Sequence, residues 1–323
     1  MKTLFTIGEV LIDFIPHQKG VILKDVSLFE RMAGGAPANV AATVAKLGGD
    51  ATMISQVGAD AFGQFLVETL RMARVNTDLI KVTDEANTAL AFVSLASNGE
   101  RDFSFYRKPS ADLLYRADYI EKRWFKRGDI LHFCSVDLVE SPMKEAHKTA
   151  ITYAREKGAM ISFDPNVRLP LWESKLDCRE TILAFLPFAD LVKISDDELS
   201  FITGIEDEGM AIASMFTGHV QVVVYTKGAN GATLFTKDSS FSDTGYSVDV
   251  VDTTGAGDAF IGALLYYLSQ NNAGVQDLST FCKQNAIEIL SFANRCGALT
   301  TTKKGAIYAL PTIADIDQLS KID

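Results

Sequence analysis

Two short segments carry residue types that could do chemistry. The first is Val250-Val251-Asp252-Thr253-Thr254-Gly255-Ala256-Gly257-Asp258-Ala259-Phe260, which runs into a helix-forming stretch ending near Leu268. Small residues at 255–257 let a loop turn its backbone N–H groups inward just where a helix begins, and a helix N-terminus carries partial positive charge. Gly255, Ala256 and Gly257 are therefore expected to form an anion hole suited to a phosphoryl group in transfer. Asp258 falls in the first turn of that helix, where its carboxylate can take the proton of an attacking hydroxyl. The alternative is a tight turn whose aspartate only caps the helix. The second segment is Ala33-Gly34-Gly35-Ala36-Pro37-Ala38-Asn39-Val40-Ala41, with Gly48 and Gly58 downstream. Paired glycines permit a ligand to approach the backbone, and Asn39 places an amide at a helix start.

Other nucleotide motifs fail by inspection. The chain has no Gly-Lys dipeptide, so it has no Walker A loop. Phe260 stands where a dinucleotide fingerprint counted from Gly255 needs glycine, and no His-Arg-Asp triplet of a protein kinase occurs. Any phosphoryl transfer must use a different scaffold.

The elements that must position these segments alternate along the chain. Apolar runs at Leu4–Ile7, Ala51–Val57, Ile130–Cys134, Ala159–Phe163, Leu191–Ile194 and Val220–Tyr225 read as strands. Helical patterns lie between them at Pro37–Leu47, Ala61–Ala73, Pro142–Lys157 and Asp196–Thr203. Pro37 suits a first helical turn and Gly48 a helix stop. Near-continuous apolar strands separated by helices imply a parallel sheet covered on both faces. Thr88–Ser97 and Arg101–Arg107 break the alternation; joined through Asn98-Gly99 they read as a hairpin. A second extended pair is expected from Val10 through Ile15 and back from Gly20 to Leu23. The two pairs could form a small sheet that acts as a lid over a substrate cleft. No repeat or linker divides the 323 residues, which read as one domain.

Composition narrows the partners. Lys plus Arg total 31 against 41 Asp plus Glu, a net charge of −10, which argues against nucleic acid or an anionic membrane as main partner. The apolar run Ala259–Leu268 is about half of a bilayer span, and Glu9 and Asp13 interrupt the N-terminus too early for a signal peptide. Four scattered cysteines without a C-x-x-C pair point to a reducing cytoplasm. His132 and Cys134 fit strand packing better than a metal site.

Taken together the two segments resemble the signatures of the ribokinase-like, or PfkB-type, carbohydrate kinases. Gly34-Gly35-Ala36-Pro37-Ala38-Asn39 with Gly48 and Gly58 is similar to the N-terminal signature, and Asp252 to Asp258 to the C-terminal one. Gly8-Glu9-Val10-Leu11-Ile12-Asp13-Phe14, Asp164-Pro165-Asn166-Val167-Arg168-Leu169-Pro170-Leu171-Trp172 and Thr301-Thr302-Lys303-Lys304-Gly305-Ala306 look like the fructokinase branch. The resemblance covers essentially the whole chain. It implies an α/β three-layer sandwich with a mostly parallel central sheet, spanning 1–323 as a single kinase domain, and a small β-sheet lid from about 10–24 and 88–107. It implies ATP-dependent phosphorylation of fructose, with a 2-keto-3-deoxygluconate kinase as the rival within the family and a non-catalytic sugar sensor as the rival outside it.

The resemblance also assigns residues. Asp13 and Asn39 would hold sugar hydroxyls, Gly34 and Gly35 would admit the sugar, and Arg168 would donate to it. Phe92 and Phe103 would cover its apolar face, with Tyr106 and Arg107 at its hydroxyls or on the rim. Lys193 and the stretch holding Thr226, Gly228 and Gly231 would meet the ATP phosphates, with Asn294 beside the adenine. Glu198 matches the acidic end of an N-x-x-E motif that organises Mg²⁺ and phosphate, but Ser195 replaces its asparagine. Asp252 and Thr254, with Thr300, Gly305 and Ala309, would hold K⁺; capping of the loop is the alternative role for Asp252. The stretch Thr88–Ala96, apolar on both faces, points to a homodimer paired through its lids.

Overall fold

A computed structural model describes residues 2–18, 20–95 and 101–319. The strands are β1 (Thr3–Ile7), β2 (Leu11–Pro16), β3 (Phe29–Gly34), β4 (Asp50–Gly58), β5 (Ile80–Thr83), β6 (Leu90–Leu95) and β7 (Arg101–Tyr106). They continue as β8 (Ile130–Cys134), β9 (Met160–Asp164), β10 (Leu191–Ser195), β11 (Val222–Thr226), β12 (Ala232–Phe235) and β13 (Ser240–Asp243). Helices are α1 (Ala36–Lys46), α2 (Ala61–Met72), α3 (Pro142–Glu156), α4 (Lys175–Phe185) and α5 (Asp196–Thr203). After them come α6 (Glu208–Ser214), α7 (Ala256–Gln270), α8 (Leu278–Thr300), α9 (Ala306–Ala309) and α10 (Ile313–Gln318).

Nine strands form the central sheet in the order β13-β12-β11-β10-β9-β8-β1-β4-β5. From β5 to β11 the neighbours run parallel; β12 and β13 are added antiparallel at one edge. Strands β8 and β9 are buried at every residue, as expected of a sheet covered on both faces. One apolar core gathers α1, α2, α7 and α8 on one face, and a second gathers α3, α4, α5 and α6 on the other. The three-layer α/β expectation holds.

Helix α1 is built for close packing. Its residues from Ala36 to Ala45 are all buried, and Pro37 sits in its first turn. Helix α7 lies against it at Gly262, where an added Cβ would come 2.7 Å from Cβ of Thr43. Only a residue without a side chain allows that approach, and it draws the starts of α1 and α7 together.

The second sheet has the order β3-β2-β6-β7. Here the sequence expectation needs correction. The return strand for β2 is β3, Phe29–Gly34, paired antiparallel with Leu11↔Gly34 and Pro16↔Phe29. The stretch Gly20–Leu23 is not a strand; a single 3₁₀ turn occupies Leu23–Asp25. Phe29-Glu30-Arg31-Met32-Ala33-Gly34 mixes charge with apolar residues and ends in the glycine motif, which hid its extended character. Strands β6 and β7 pair as a hairpin from Leu90↔Tyr106 to Leu95↔Arg101; the Asn98-Gly99 turn lies outside the described residues. The lid is thus drawn from 11–16, 29–34, 90–95 and 101–106.

Asp60 ties this sheet to the body. Its carboxylate accepts from the N–H groups of Phe62 and Gly63 at 3.0 and 2.8 Å, capping α2, and from the N–H and Oγ1 of Thr88, both at 2.8 Å. Thr88 Oγ1 in turn accepts from the Gly58 N–H at 3.0 Å. Asp60→Ala is expected to cost about 1–2 kcal/mol, the effect of a lost helix N-cap. A thermal melt reads it as a lowered Tm, and an unchanged Tm would show that the base of the lid is held elsewhere.

Candidate active site

The loops at the carboxyl ends of the parallel strands, where ligands of open α/β sheets bind, enclose a cleft of about 270 Å³. Glu9, Leu11 and Asp13 enter it from the segment around β2, Gly35 and Asn39 from the start of α1, and Arg168 from the loop after β9. Gly255, Gly257 and Asp258 enter from the start of α7. A second cleft of about 360 Å³ lies beside it, lined by Thr226, Gly228, Gly231, Tyr246, Val250 and Asn294 among others. Lys193, Ser195, Thr253 and Gly257 line both.

Asp258 stands at this junction. Its Oδ2 accepts from Asn39 Nδ2 at 2.8 Å, a bond between residues 219 positions apart. The Asn39 side-chain oxygen is buried without a hydrogen-bond partner of its own. Burial raises the pKa of the Asp258 carboxyl, while the Asn39 bond and the charges of Arg168 and Lys193 pull it back.

The turn before α7 depends on a glycine. Gly255 takes φ 77° as the N-cap, a left-handed conformation that glycine adopts without strain. A Cβ there would also meet Cβ of Ala306 at 2.5 Å. Ala256 directs its N–H back to the Thr253 carbonyl at 3.3 Å, so it is engaged within the turn. Asp252 pins the loop from below. Its Oδ1 accepts from Thr254 N and Oγ1 at 3.0 and 2.7 Å, and its Oδ2 from the Gly305 N–H at 3.0 Å. Asp252, Thr254 and Gly305 are thus brought together by the loop capping that was the alternative role for Asp252. Thr300 ends α8, where its hydroxyl donates to the Cys296 carbonyl at 2.8 Å, and Ala309 ends α9.

Glu198 bridges two segments. Its Oε2 accepts from the N–H and Oγ of Ser195 at 3.0 and 2.8 Å, and its Oε1 from the Val167 N–H at 2.7 Å. The carboxylate thus caps α5 and fixes the loop that presents Arg168, whose Nη1 donates to the Val167 carbonyl at 3.0 Å. Ser195 completes this cap in place of the asparagine. Asn294 donates to Asp243 Oδ2 at 2.9 Å on the wall of the second cleft.

Three expected substrate contacts lie elsewhere. Phe92 stacks on Phe14 at 4.7 Å and meets Phe29 and Tyr106 edge-on, on the lid face away from the cleft. Tyr106 is on that same outer face and 63% exposed. Arg107 is buried, with its guanidinium on Asp112 and Asp137, so it does not reach the cleft rim. The side chain of Phe103 lies outside the described residues. The aromatic that does line the cleft is Phe105. Strand alternation carries the signal: Phe105 pairs with Ala91, which pairs with Asp13, so the three share one face. Gly34 backs onto Asp13, whose Oδ2 would lie 2.0 Å from an added Cβ.

Comparison with known proteins agrees with this geometry. The pattern of the pfkB family carbohydrate kinases matches residues 1–313. The chain is 45% identical over 317 residues to the probable fructokinase-2 of Arabidopsis thaliana, covering 97% of this chain and 93% of that one. It superimposes on the crystal structure of the fructokinase with bound ATP from Xylella fastidiosa with a TM-score of 0.89 at 36% identity, covering 98% and 97% of the two chains. A fructokinase double mutant from Vibrio cholerae O395, in its fructose, ADP and potassium ion bound form, gives a TM-score of 0.85 at 35% identity and covers 99% and 98%. With one pattern spanning nearly its whole length and both signature loops meeting at a single base, the chain belongs to the pfkB family of carbohydrate kinases.

Proposed function

We propose that the chain transfers the γ-phosphoryl group of ATP to the 6-hydroxyl of fructose, giving fructose 6-phosphate and ADP. The observation that carries this is Asp258, held by Asn39 where a polar, sugar-sized cleft meets a second cleft with apolar and glycine walls. The fructokinases at 42–45% identity support fructose as the sugar. Asp13, Asn39 and Arg168 would pair with sugar hydroxyls, and Phe105 would cover an apolar ring face. Asp258 takes the hydroxyl proton as the sugar oxygen bonds to phosphorus and the bond to ADP breaks. The Gly257 N–H in the first turn of α7 and the Lys193 ammonium would face the charge that develops.

Mg²⁺ fits as a companion of the nucleotide. Among the described residues no three His, Cys, Asp or Glu side chains converge on a point, and both oxygens of Glu198 are engaged. Mg²⁺ commonly keeps several waters and binds through substrate phosphates with one or two carboxylates; when bound it would neutralise phosphate charge. A ketodeoxygluconate substrate would need an extra cation for its carboxylate, and Arg107 is committed to Asp112 and Asp137. The intact base argues against a sensor without catalysis.

The outer face of the lid supports a homodimer. Phe14, Phe29, Phe92 and Tyr106 form one aromatic cluster there, and Tyr106 is 63% exposed. A second copy of the same face would cover it. The four free cysteines, all buried, suit a cytoplasmic setting, and no described helix is long and apolar enough to cross a membrane.

Asp258→Asn is expected to lower kcat by about 10²–10⁴-fold while leaving ligand binding nearly intact. Asn39→Ala removes a donor that holds the Asp258 pKa down, so the acid limb of the kcat–pH profile should move to higher pH. A limb that stays in place would show that Asn39 serves the sugar alone.

An ADP-release assay across fructose, ribose, adenosine and ketodeoxygluconate should show fructose as the preferred acceptor. In Arg168→Ala, kcat/KM for that sugar should fall at least tenfold, consistent with about 1.5–3 kcal/mol for a lost charged hydrogen bond, with ATP affinity little changed. Loss of ATP binding instead would place Arg168 on the nucleotide side.

Asp252 supports a further prediction. With Gly305 it joins the anion-hole loop to the 300–309 segment, and a K⁺ ion bound by oxygens there would stiffen the same loop. Turnover should be faster in potassium than in tetramethylammonium at equal ionic strength, and Asp252→Ala should lose most of the difference. Equal rates in the two buffers would rule the activating site out.

A further inference from the structure

Lys193 is the cation placed where both clefts meet, and one side chain holds it there. It lies near the carboxyl end of β10, next to the end of β9, with Leu191↔Ser162 and Val192↔Phe163 leading to Lys193 beside Asp164. Its Nζ is 3.1 Å from Asp164 Oδ2 and 3.3 Å from Oδ1. On its other side, a Cβ added to Gly257 would meet this Nζ at 3.4 Å and no atom of any other part of the chain within 4 Å. The ammonium therefore sits directly under the backbone expected to receive the phosphoryl group.

The charges around it leave a choice of partner. Asp164, Glu198 and Asp258 all act on Lys193, and together with burial, which opposes its charge, they leave its pKa above the ordinary lysine value. Glu198 is occupied by Ser195 and Val167. The contest is between Asp164, which is 1% exposed and has no assigned part in the reaction, and Asp258, which must stay open to an incoming hydroxyl. Pairing with Lys193 would block Asp258 and weaken it as a base, because a close positive charge favours the ionised form.

We propose that Asp164 is a positioning residue: it parks the Lys193 ammonium between the two clefts, so that this cation meets the transferring phosphoryl group and leaves Asp258 free to accept the proton. Asp164 touches no reacting atom. It acts through Lys193, and its negative charge also works against the bound polyphosphate. This arrangement trades ground-state affinity for ATP against stabilisation of the transferred group.

The proposal rests on the kinase reading above, and its test separates the two. Asp164→Asn keeps the shape of the side chain and removes the charge. Calorimetric titration with MgATP needs no sugar; it should show ATP binding tightened by about three- to tenfold, since a buried negative charge near the phosphates is gone. Turnover with the sugar that the wild-type protein uses best should fall by at least tenfold at saturating substrates. Asp164→Glu should restore part of that rate. In a Lys193→Met background the same Asp164→Asn change should alter kcat by less than threefold, because residues acting as one unit are not additive. A merely structural ion pair would lower Tm in Asp164→Asn but leave ATP affinity and kcat of the folded protein unchanged, and that result would overturn the proposal. So would weaker ATP binding, or full additivity with Lys193→Met. Failure of the wild-type protein to use fructose would bear on the acceptor alone, since the calorimetric arm reads Asp164 without it.

Discussion

The 2.8 Å bond from Asn39 to Asp258 is the constraint on which the rest of the molecule depends. Each partner sits in the first turns of a helix, so the bond exists only if α1 and α7 start side by side. That requires small residues along their contact, which Gly262 against Thr43 and the alanines of α1 supply. It also requires both helices to lie on the same face of the sheet, which their shared apolar core ensures. A shift of an ångström at that contact would part the base from its donor, and precise placement is worth much of a catalysed rate.

Electrostatics at the site are local and run against the global sign. The chain carries a net charge of −10, yet the first cleft is lined by Lys193, by Arg168 and by a helix N-terminus. Cations close to the reaction outweigh distant surface charge, because solvent and salt screen the latter beyond about 10 Å. A second buried charge cluster has a different purpose. Arg107 at the foot of β7 is gripped by Asp112 and Asp137, with Glu9 nearby. Burial, opposed by the arginine, leaves the Asp137 carboxyl pushed up to about 7. Glu9, whose Oε1 takes the Ala36 N–H at 2.9 Å, is pushed up as well, by burial and then by Asp137. This cluster fastens the descending lid strand to the body and to the start of α1.

Much of this was legible in the sequence wherever one local pattern decided the outcome. The six apolar runs became parallel strands because a strand buried on both faces is largely apolar, and Asp196–Thr203 became α5 with those bounds. The two glycine segments meet at the Asn39–Asp258 bond and supply one side of the first cleft. What stayed hidden depended on pairing between distant residues. Strand β3 has no alternation of its own, and β2 selects it through register. Arg107 looked like a cation available to a ligand, because nothing in the sequence places Asp112 and Asp137 on it. Asp164 stood in a recognised stretch, but its role follows only from Lys193 lying on the neighbouring strand.

The aromatic assignments on the lid show how far one such pairing reaches. Phe92 and Phe105 are equally apolar, and composition does not rank one above the other as a sugar contact. The ladder does. Asp13 sits opposite Ala91, and Ala91 opposite Phe105, so the acidic residue and Phe105 face the cleft while Phe14 and Phe92 face outward. Because side chains alternate along a strand, a slip of one residue between β2 and β6 would reverse this arrangement. It would turn Phe14 into the cleft and bring Asp13 among the rings of Phe92 and Tyr106, where a carboxylate is costly. The aromatic outer face and the polar inner face therefore enforce one register together. The same packing that covers the back of the lid keeps Asp13 pointed at the cleft.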